Sequence, residues 1–257
     1  MDRVLLKGAL AELFDEGAAR FDASMAELTT FRIGGPADVL VEPRTAGEAR
    51  VVLEACRRLG VAVRVMGLGS DVLVADEGLR CVVVRIAESL SQVEVDGERM
   101  HVEAGASNAD VARRACEEGL AGYEFACGIP GTVGGAAIMN AGAYGGEFKD
   151  VAESVRCLTP EGELVDVDAE RAQWSYRHSM MGEAEKQPLE LPSAGSTFKR
   201  PAGFFVGQLV QEAGLRGYRV GGAQVSEKHT GFVVNAGDAT AADVRRLIAD
   251  VQERVRA

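Results

Sequence analysis

The residues from Gly122 to Gly146 (GYEFACGIPGTVGGAAIMNAGAYGG) place eight glycines within an otherwise small and apolar segment. Glycine in a folded interior costs chain entropy, so repeated glycines indicate positive φ angles or a backbone that approaches another group very closely. One interpretation is a buried turn region of a large α/β protein. The other is a backbone cradle for a flat or phosphorylated ligand, and the density of glycines favours it.

The bulk composition excludes several classes of protein. A chain of 257 residues is long enough for one or two domains. Its net charge of −11, without a basic patch, argues against a general nucleic-acid binder or an anionic-membrane binder, since both partners are anions. The five cysteines form no C-x-x-C pair, which argues against a disulfide framework or a zinc site. No apolar run reaches the roughly 18 residues of a membrane span. We therefore expect a cytoplasmic protein.

Capping and periodicity predict most of the secondary structure. Residues up to about Phe21 predict a short amphipathic helix, and Thr45 with Glu48 predicts the capped start of a second helix that ends at Gly60. Further along, the chain predicts strands at Val61 to Met66, Cys81 to Ile86, Tyr218 to Val220 and Phe232 to Asn235, hairpins over Val93 to Ala104 and Val155 to Val167, and helices from Ser107 to Gly119, from Phe204 to Ala213 and from Thr240 onwards.

The loop Gly67 to Asp71 (GLGSD) contains a G-x-G pattern after a predicted strand. It is not a dinucleotide-binding fingerprint of the Rossmann type, because strand-like residues follow where that motif requires a third glycine opening a helix. Its amides could hold a pyrophosphate, with Ser70 adding a hydroxyl. A simple turn between two strands is the alternative.

Six motifs in order along the chain resemble one family, the UDP-N-acetylenolpyruvoylglucosamine reductases, which are flavoenzymes of peptidoglycan precursor synthesis. The motifs are TTFRIGGPA (Thr29 to Ala37), GLGSD (Gly67 to Asp71), GIPGTVGGA with MNAGAYG (Gly128 to Gly145), YRHS (Tyr176 to Ser179), PSAGSTFKRP (Pro192 to Pro201) and GGAQVSEKHTGFVVN (Gly221 to Asn235). The absence of a tyrosine-bearing insertion resembles the shorter subclass of that family.

The resemblance implies an α+β protein with a two-subdomain FAD-binding fold, similar to that of vanillyl-alcohol oxidase, and a shortened C-terminal α+β substrate-binding domain. The implied boundaries are 1–88, 89–182 and 183–257. The implied FAD-binding residues are Gly67, Leu68, Gly69, Ser70, Asp71, Ile129, Pro130, Gly131, Thr132, Gly134, Gly135 and Asn140. Neither His nor Cys occurs in the Gly67 loop, so we expect noncovalent FAD.

The resemblance also implies the reaction, in which NADPH reduces FAD and the flavin reduces the enolpyruvyl ether of a UDP-sugar. Arg177 matches the family cation that stabilises the developing negative charge, and Ser196 matches the proton donor. Lys199 and His229 match positions that contact the nucleotide and sugar. We expect a monomer with no metal, no nucleic-acid partner and no membrane partner.

Three departures from the family pattern leave an alternative open. The usual FKN reads Phe198-Lys199-Arg200, and the usual GSN reads Gly69-Ser70-Asp71, which adds a negative charge. Tens of residues expected between Met181 and Lys186 are absent, as is the segment after Ala257 that bears the catalytic glutamate of the family. The alternative is a flavin-binding relative, or a truncated form, that lacks full reductase turnover.

Overall fold

The computed structural model describes residues 8, 19–183, 197–198, 206–227 and 229–256. The chain forms two compact units. The first contains the described residues of Met1–Phe21, Val39–Leu68 and Arg80–Leu189, and the second those of Asp22–Asp38, Gly69–Leu79 and Glu190–Ala257. Both units mix helices with strands, which confirms the α+β class. The division into three parts near residues 88 and 182 stays a prediction.

A four-stranded sheet forms from the first 85 residues. Its strands are β1 (Ala19–Ser24), β2 (Pro36–Val41), β3 (Val63–Met66) and β4 (Leu79–Arg85), in the order β1-β2-β4-β3. Helix α1 (Ala46–Leu59) buries Val52 and Cys56 in one apolar cluster with Val39, Val41, Val82 and Val84 of the sheet. Valine at alternate positions suits a pleated surface, and the spacing of Val52 and Cys56 suits one face of a helix.

The predicted helix ending near Phe21 is wrong for residues 19–21, which belong to β1. Exposure alternates along most of this strand, and β2 is its neighbour in the sheet. Tertiary pairing therefore overrides the local helical pattern. Most of the remaining predicted helix lies outside the described residues.

The predicted helix caps are confirmed. The Thr45 hydroxyl accepts a hydrogen bond from the Glu48 amide at 3.0 Å, and Gly60 ends α1 with φ 65°. The Ser107 hydroxyl likewise accepts from the Asp110 amide at 3.1 Å and opens α2 (Asn108–Glu117). Each cap satisfies an amide that the first helical turn cannot.

The rest of the first unit consists of short elements. They are the hairpin β5 (Val93–Asp96) with β6 (Arg99–Val102), helix α3 (Val133–Met139), β7 (Gly142–Ala143) with β8 (Gly146–Glu147), the hairpin β9 (Ser154–Leu158) with β10 (Leu164–Asp168), helix α4 (Met180–Glu183), and 3-10 turns at Glu88–Leu90, Glu124–Gly128 and Phe148–Asp150. Helix α3 lies inside the glycine-rich segment and was not predicted. It buries Ala136 and Ala137 against Ala141 and Phe148.

The second unit has an antiparallel sheet of β11 (Arg219–Val220), β12 (Ala223–Val225) and β13 (Val233–Asn235), with α5 (Val206–Glu212), α6 (Ala241–Arg256) and a 3-10 turn at Met25–Glu27. The predicted apolar face of α6, formed by Val244, Leu247, Ile248 and Val251, is buried in one cluster with Val225 and Val233. In the described part of the chain, no helix combines the length and apolar composition needed to cross a bilayer.

The thiol of Cys56 makes the stability of the first unit sensitive to alkaline pH. Burial raises its pKa from an ordinary 9.0 to about 11, and the nearby Cys81 adds to the shift. Because the unfolded thiol ionises first, the contribution of Cys56 is intact below pH 9.0 and falls as pH rises towards about 11. We expect urea midpoints at pH 8 and pH 10.5 to differ less for Cys56→Ala than for the wild type. Cys116→Ala, which changes an exposed thiol, is the matched control and should retain the wild-type slope.

Candidate functional site

The two segments predicted to hold a cofactor meet in the first unit, where the end of β3 reaches the start of α3. A Cβ atom on Gly67 would lie 2.4 Å from the Oγ1 atom of Thr132 and 2.9 Å from its Cγ2 atom. Thr132 is buried, and its hydroxyl caps α3 by accepting from the Gly135 amide at 3.3 Å. The close packing of the Thr132 side chain on this backbone therefore requires glycine at position 67.

Glycine occurs at positions 134 and 135 of α3 for different physical reasons. A Cβ on Gly134 would lie 2.9 Å from the Cβ atom of Ala104, and the Gly134 amide donates to the Ala104 carbonyl at 2.8 Å. Packing within the protein thus explains Gly134. A Cβ on Gly135 would meet only the Thr132 hydroxyl, at an ordinary 3.5 Å, so no described neighbour requires glycine there.

The loop before α3 presents backbone donors. Gly131 has φ 114°, a conformation that side chains rarely adopt. No described residue accepts a hydrogen bond from the amides of Gly131 or Thr132, whereas the Gly131 carbonyl accepts from the Asn108 amide at 3.1 Å. Amides of this kind in a turn leading into a helix are suited to a phosphate group. Of the other predicted residues here, Leu68 and Ile129 are half-buried and Pro130 is exposed.

The predicted cation, Arg177, lies at the third position of a tight turn from Ser175 to His178. The amides of these two end residues donate to each other's carbonyls at 3.0 and 3.1 Å. Arg177 is exposed and has φ 56°, in the left-handed region that costs a non-glycine residue roughly 1 kcal/mol. Strain of this kind is common at functional positions.

Asn140 joins this turn to α3. It ends the helix with φ 43°, and its side-chain amide donates to the Ser175 carbonyl at 3.1 Å and to the Glu147 carboxylate at 3.0 Å. Its side-chain oxygen accepts from the Lys149 amide at 3.0 Å. The structure therefore connects the predicted residue Asn140 to the turn of Arg177, and the polar side-chain atoms of Asn140 all have protein partners.

Two further residues hold the turn and were missed by the sequence analysis. The Trp174 indole donates to the Ala137 carbonyl at 2.8 Å, and the Ser179 hydroxyl donates to the Ile138 carbonyl at 2.7 Å. Trp174 is the single tryptophan of the chain and directly precedes the turn. That position could have indicated a role in holding the turn, whereas nothing in the sequence links Ser179 to Ile138.

In the second unit, Thr30 makes hydrogen bonds to the backbone of the Gly69 loop. The Thr30 amide donates to the Gly69 carbonyl at 3.1 Å, and its hydroxyl lies 3.3 Å from the Ser70 carbonyl. Gly69 itself has φ 64° and is buried, whereas Asp71 is exposed. These contacts fix the backbone of the predicted pyrophosphate loop.

The predicted substrate residue His229 is also in the second unit. Its ring accepts from the Gly231 amide at 3.2 Å through Nδ1 and packs edge-to-face on Phe232, with ring centroids 4.7 Å apart. The Thr197 amide donates to the Gly231 carbonyl at 3.1 Å, so the chain next to the predicted proton donor runs beside His229. Ser196 and Lys199 themselves lie outside the described residues.

Comparisons with known proteins agree with the resemblance. A family model for an FAD binding domain matches residues 37–168, and one for the C-terminal domain of UDP-N-acetylenolpyruvoylglucosamine reductase matches residues 187–257. The chain is 42% identical to the UDP-N-acetylenolpyruvoylglucosamine reductase of Alkaliphilus metalliredigens, with 100% of this chain and 94% of the relative covered. Identity to the reductase of the same name from Agathobacter rectalis is 45%, with 99% and 94% covered.

A solved structure shares the fold over nearly the full length. The crystal structure of UDP-N-acetylenolpyruvylglucosamine reductase from Thermus caldophilus matches with a TM-score of 0.76 and 33% identity, covering 91% of this chain and 94% of that one. Together with the matched FAD binding domain, this confirms the predicted FAD-binding fold.

Gly135 provides a test of the cofactor cradle that does not depend on folding. Because a Cβ there meets only an ordinary contact, we expect Gly135→Ala to leave the melting temperature unchanged or higher, while the added methyl group weakens FAD binding about tenfold. Titration of the apoprotein with FAD measures the affinity. Gly47→Ala makes the same change in helix α1 and should leave FAD affinity at the wild-type value. Equal FAD affinity in Gly135→Ala and the wild type would exclude close contact of the cofactor with this helix.

The strained backbone of Arg177 predicts that its glycine variant is more stable than its alanine variant. Both Arg177→Ala and Arg177→Gly remove the guanidinium, but only glycine adopts φ 56° without strain. We expect Arg177→Gly to be the more stable of the two by up to about 1 kcal/mol in urea unfolding. A higher stability of the alanine variant would show that the turn relaxes at little cost.

Proposed function

Because the chain belongs to the UDP-N-acetylenolpyruvoylglucosamine reductase family, we propose that it reduces UDP-N-acetylglucosamine enolpyruvate to UDP-N-acetylmuramate, acting on a carbon–carbon double bond. FAD is bound noncovalently and NADPH is the reductant. The observation that carries this proposal is the position of helix α3, whose first residues contact the Gly67 loop and whose last residues hold the turn that bears Arg177. We further propose a monomeric, cytoplasmic enzyme that takes a UDP-sugar as its partner.

The residues of the first unit suit FAD. The Thr132 side chain packs against Gly67, the amides of Gly131 and Thr132 have no acceptor among the described residues, and Gly135 is exposed on α3. These features would hold the pyrophosphate and the ring of the cofactor. When bound, FAD supplies the chemistry of hydride acceptance from NADPH and hydride delivery to the substrate.

Arg177 suits the stabilisation of an anion on the substrate. Its guanidinium is exposed, and no carboxylate in the described part of the chain forms an ion pair with it. A guanidinium keeps its charge at any physiological pH and can bind a carboxylate through two parallel hydrogen bonds. It would therefore stabilise negative charge that develops next to the substrate carboxylate as the double bond is reduced.

The remaining roles in the proposal belong to the second unit. Ser196 would donate the proton that completes reduction. The adjacent Thr197 is hydrogen-bonded to Gly231. Lys199 would bind a phosphate of the UDP-sugar, and the exposed ring of His229 would contact the sugar or nucleotide.

The alternative of a flavin-binding relative without turnover is not favoured. The relatives that the chain matches over nearly their whole length are reductases by name. The turn at Arg177, which reduction of the substrate would use and binding of the cofactor would not, is also present in this chain.

Anaerobic half-reactions test the proposed roles. Mixed with NADPH, the holoenzyme should lose its flavin absorbance, and addition of the enolpyruvyl sugar nucleotide should restore it. We expect Arg177→Ala and Ser196→Ala to retain the first step within about twofold and to slow the second by at least about a hundredfold, the loss typical of one electrostatic or acid group. Equal slowing of both steps would show that these roles are misassigned, and failure of the wild type to recover its absorbance would reject the reductase itself.

A further inference from the structure

The position of the Arg177 guanidinium depends on its backbone. Among the described residues, no carboxylate forms an ion pair with this side chain. The side chain extends from a two-residue turn that the paired hydrogen bonds of Ser175 and His178 close. A long side chain on a mobile base would spend little time in a productive geometry, and a displacement near 1 Å can cost catalysis about a hundredfold.

The two flanks of the turn are held by the last residues of α3. The carbonyls of Ala137 and Ile138 are among the last four of the helix, which have no partners inside it. Trp174 before the turn and Ser179 after it donate to these two carbonyls. Ser179 is fully buried, and the Trp174 ring packs edge-to-face on Phe148 with centroids 5.5 Å apart. Both hydrogen bonds are therefore partly shielded from water.

Asn140 supplies the third attachment. Both of its side-chain N–H bonds are used, one on the Ser175 carbonyl and one on Glu147, and the residue is buried. The Lys149 ammonium lies 2.6 Å from the Glu147 carboxylate and, with the hydrogen bond from Asn140, lowers the pKa of that carboxyl. An anionic Glu147 is a strong acceptor that fixes which way the Asn140 amide points.

We propose that Trp174, Ser179 and Asn140 are positioning residues, which hold the turn of Arg177 against the C-terminal end of α3. The N-terminal end of the same helix contacts the Gly67 loop through Thr132. A seven-residue helix, about 10 Å long, thus sets the spacing between the predicted cofactor loop and the cation. This inference rests on the proposed function for its catalytic consequence, but the attachment of the turn can be tested separately.

Limited trypsin digestion of the holoenzyme tests the attachment without any assay of activity. Trypsin cleaves after arginine, and Arg177 is exposed in a turn that must open to enter the protease. Loss of one partly buried hydrogen bond should raise the rate of cleavage at Arg177–His178 about fivefold in Ser179→Ala and in Trp174→Phe. The second variant keeps an aromatic ring against Phe148 and removes the N–H donor.

Ser89→Ala is the matched control. The Ser89 hydroxyl also donates to a backbone carbonyl of the first unit, that of Pro43 at 2.8 Å, and it has no contact with the turn. We expect this variant to lose similar thermal stability and to retain the wild-type cleavage rate at Arg177. Equal acceleration in Ser89→Ala, or no acceleration in either turn variant, would overturn the proposed attachment.

A double-mutant cycle tests whether the attachment acts through Arg177. We expect Ser179→Ala to slow reoxidation of the reduced flavin by the enolpyruvyl sugar nucleotide about tenfold and to leave reduction by NADPH within twofold. In an Arg177→Ala background, the same change should slow reoxidation less than twofold. A full additional tenfold loss in that background would overturn the positioning role. If the wild type itself is not reoxidised, the proposed function fails, and the digestion alone still decides whether the turn is held by α3.

Discussion

Helix α3 has only seven residues, so nearly all its backbone donors and acceptors need partners from elsewhere in the chain. At its start, the amides of Val133 and Gly134 donate to the carbonyls of Ala106 and Ala104, and the Thr132 hydroxyl accepts from Gly135. At its end, the side chains of Trp174 and Ser179 donate to the carbonyls of Ala137 and Ile138. The need to satisfy these groups organises the parts of the first unit that the proposed function uses.

Packing within the protein explains some glycines of the segment Gly122 to Gly146. Gly134 is needed because α3 packs directly on Ala104, and Gly146 is needed because a Cβ there would lie 2.9 Å from the Phe125 ring. Neither glycine requires a ligand. The case for a cofactor cradle depends instead on Gly131, which has φ 114°, and on Gly135, which is exposed and has no described neighbour that requires glycine. Two causes therefore contribute to one dense run of glycines.

The hydrogen bonds to α3 also explain how the strained backbone of Arg177 is held. The left-handed backbone of Arg177 lies between two flanking residues that are hydrogen-bonded to the helix, and its closing hydrogen bonds run between Ser175 and His178. Rigid surroundings of this kind can hold a conformation that the free chain would avoid. The same rigidity serves catalysis, because a preformed position reduces the ordering that substrate binding must otherwise impose.

The elements that could be predicted from the sequence are those whose signals are local. The caps at Thr45 and Ser107, the hairpins over residues 93–104 and 155–167, and the buried face of the last helix depend on residues within a few positions of one another, and the six motifs were sufficient to indicate the family. The tertiary structure was needed to identify the strand β1, which pairs with β2 across the segment Met25 to Gly35, and the helix α3, whose glycines disfavour a helix that long-range hydrogen bonds stabilise. It likewise linked Asn140, Trp174 and Ser179 to Arg177. Those contacts join residues up to 41 positions apart, and no local pattern encodes which carbonyl a distant donor will find.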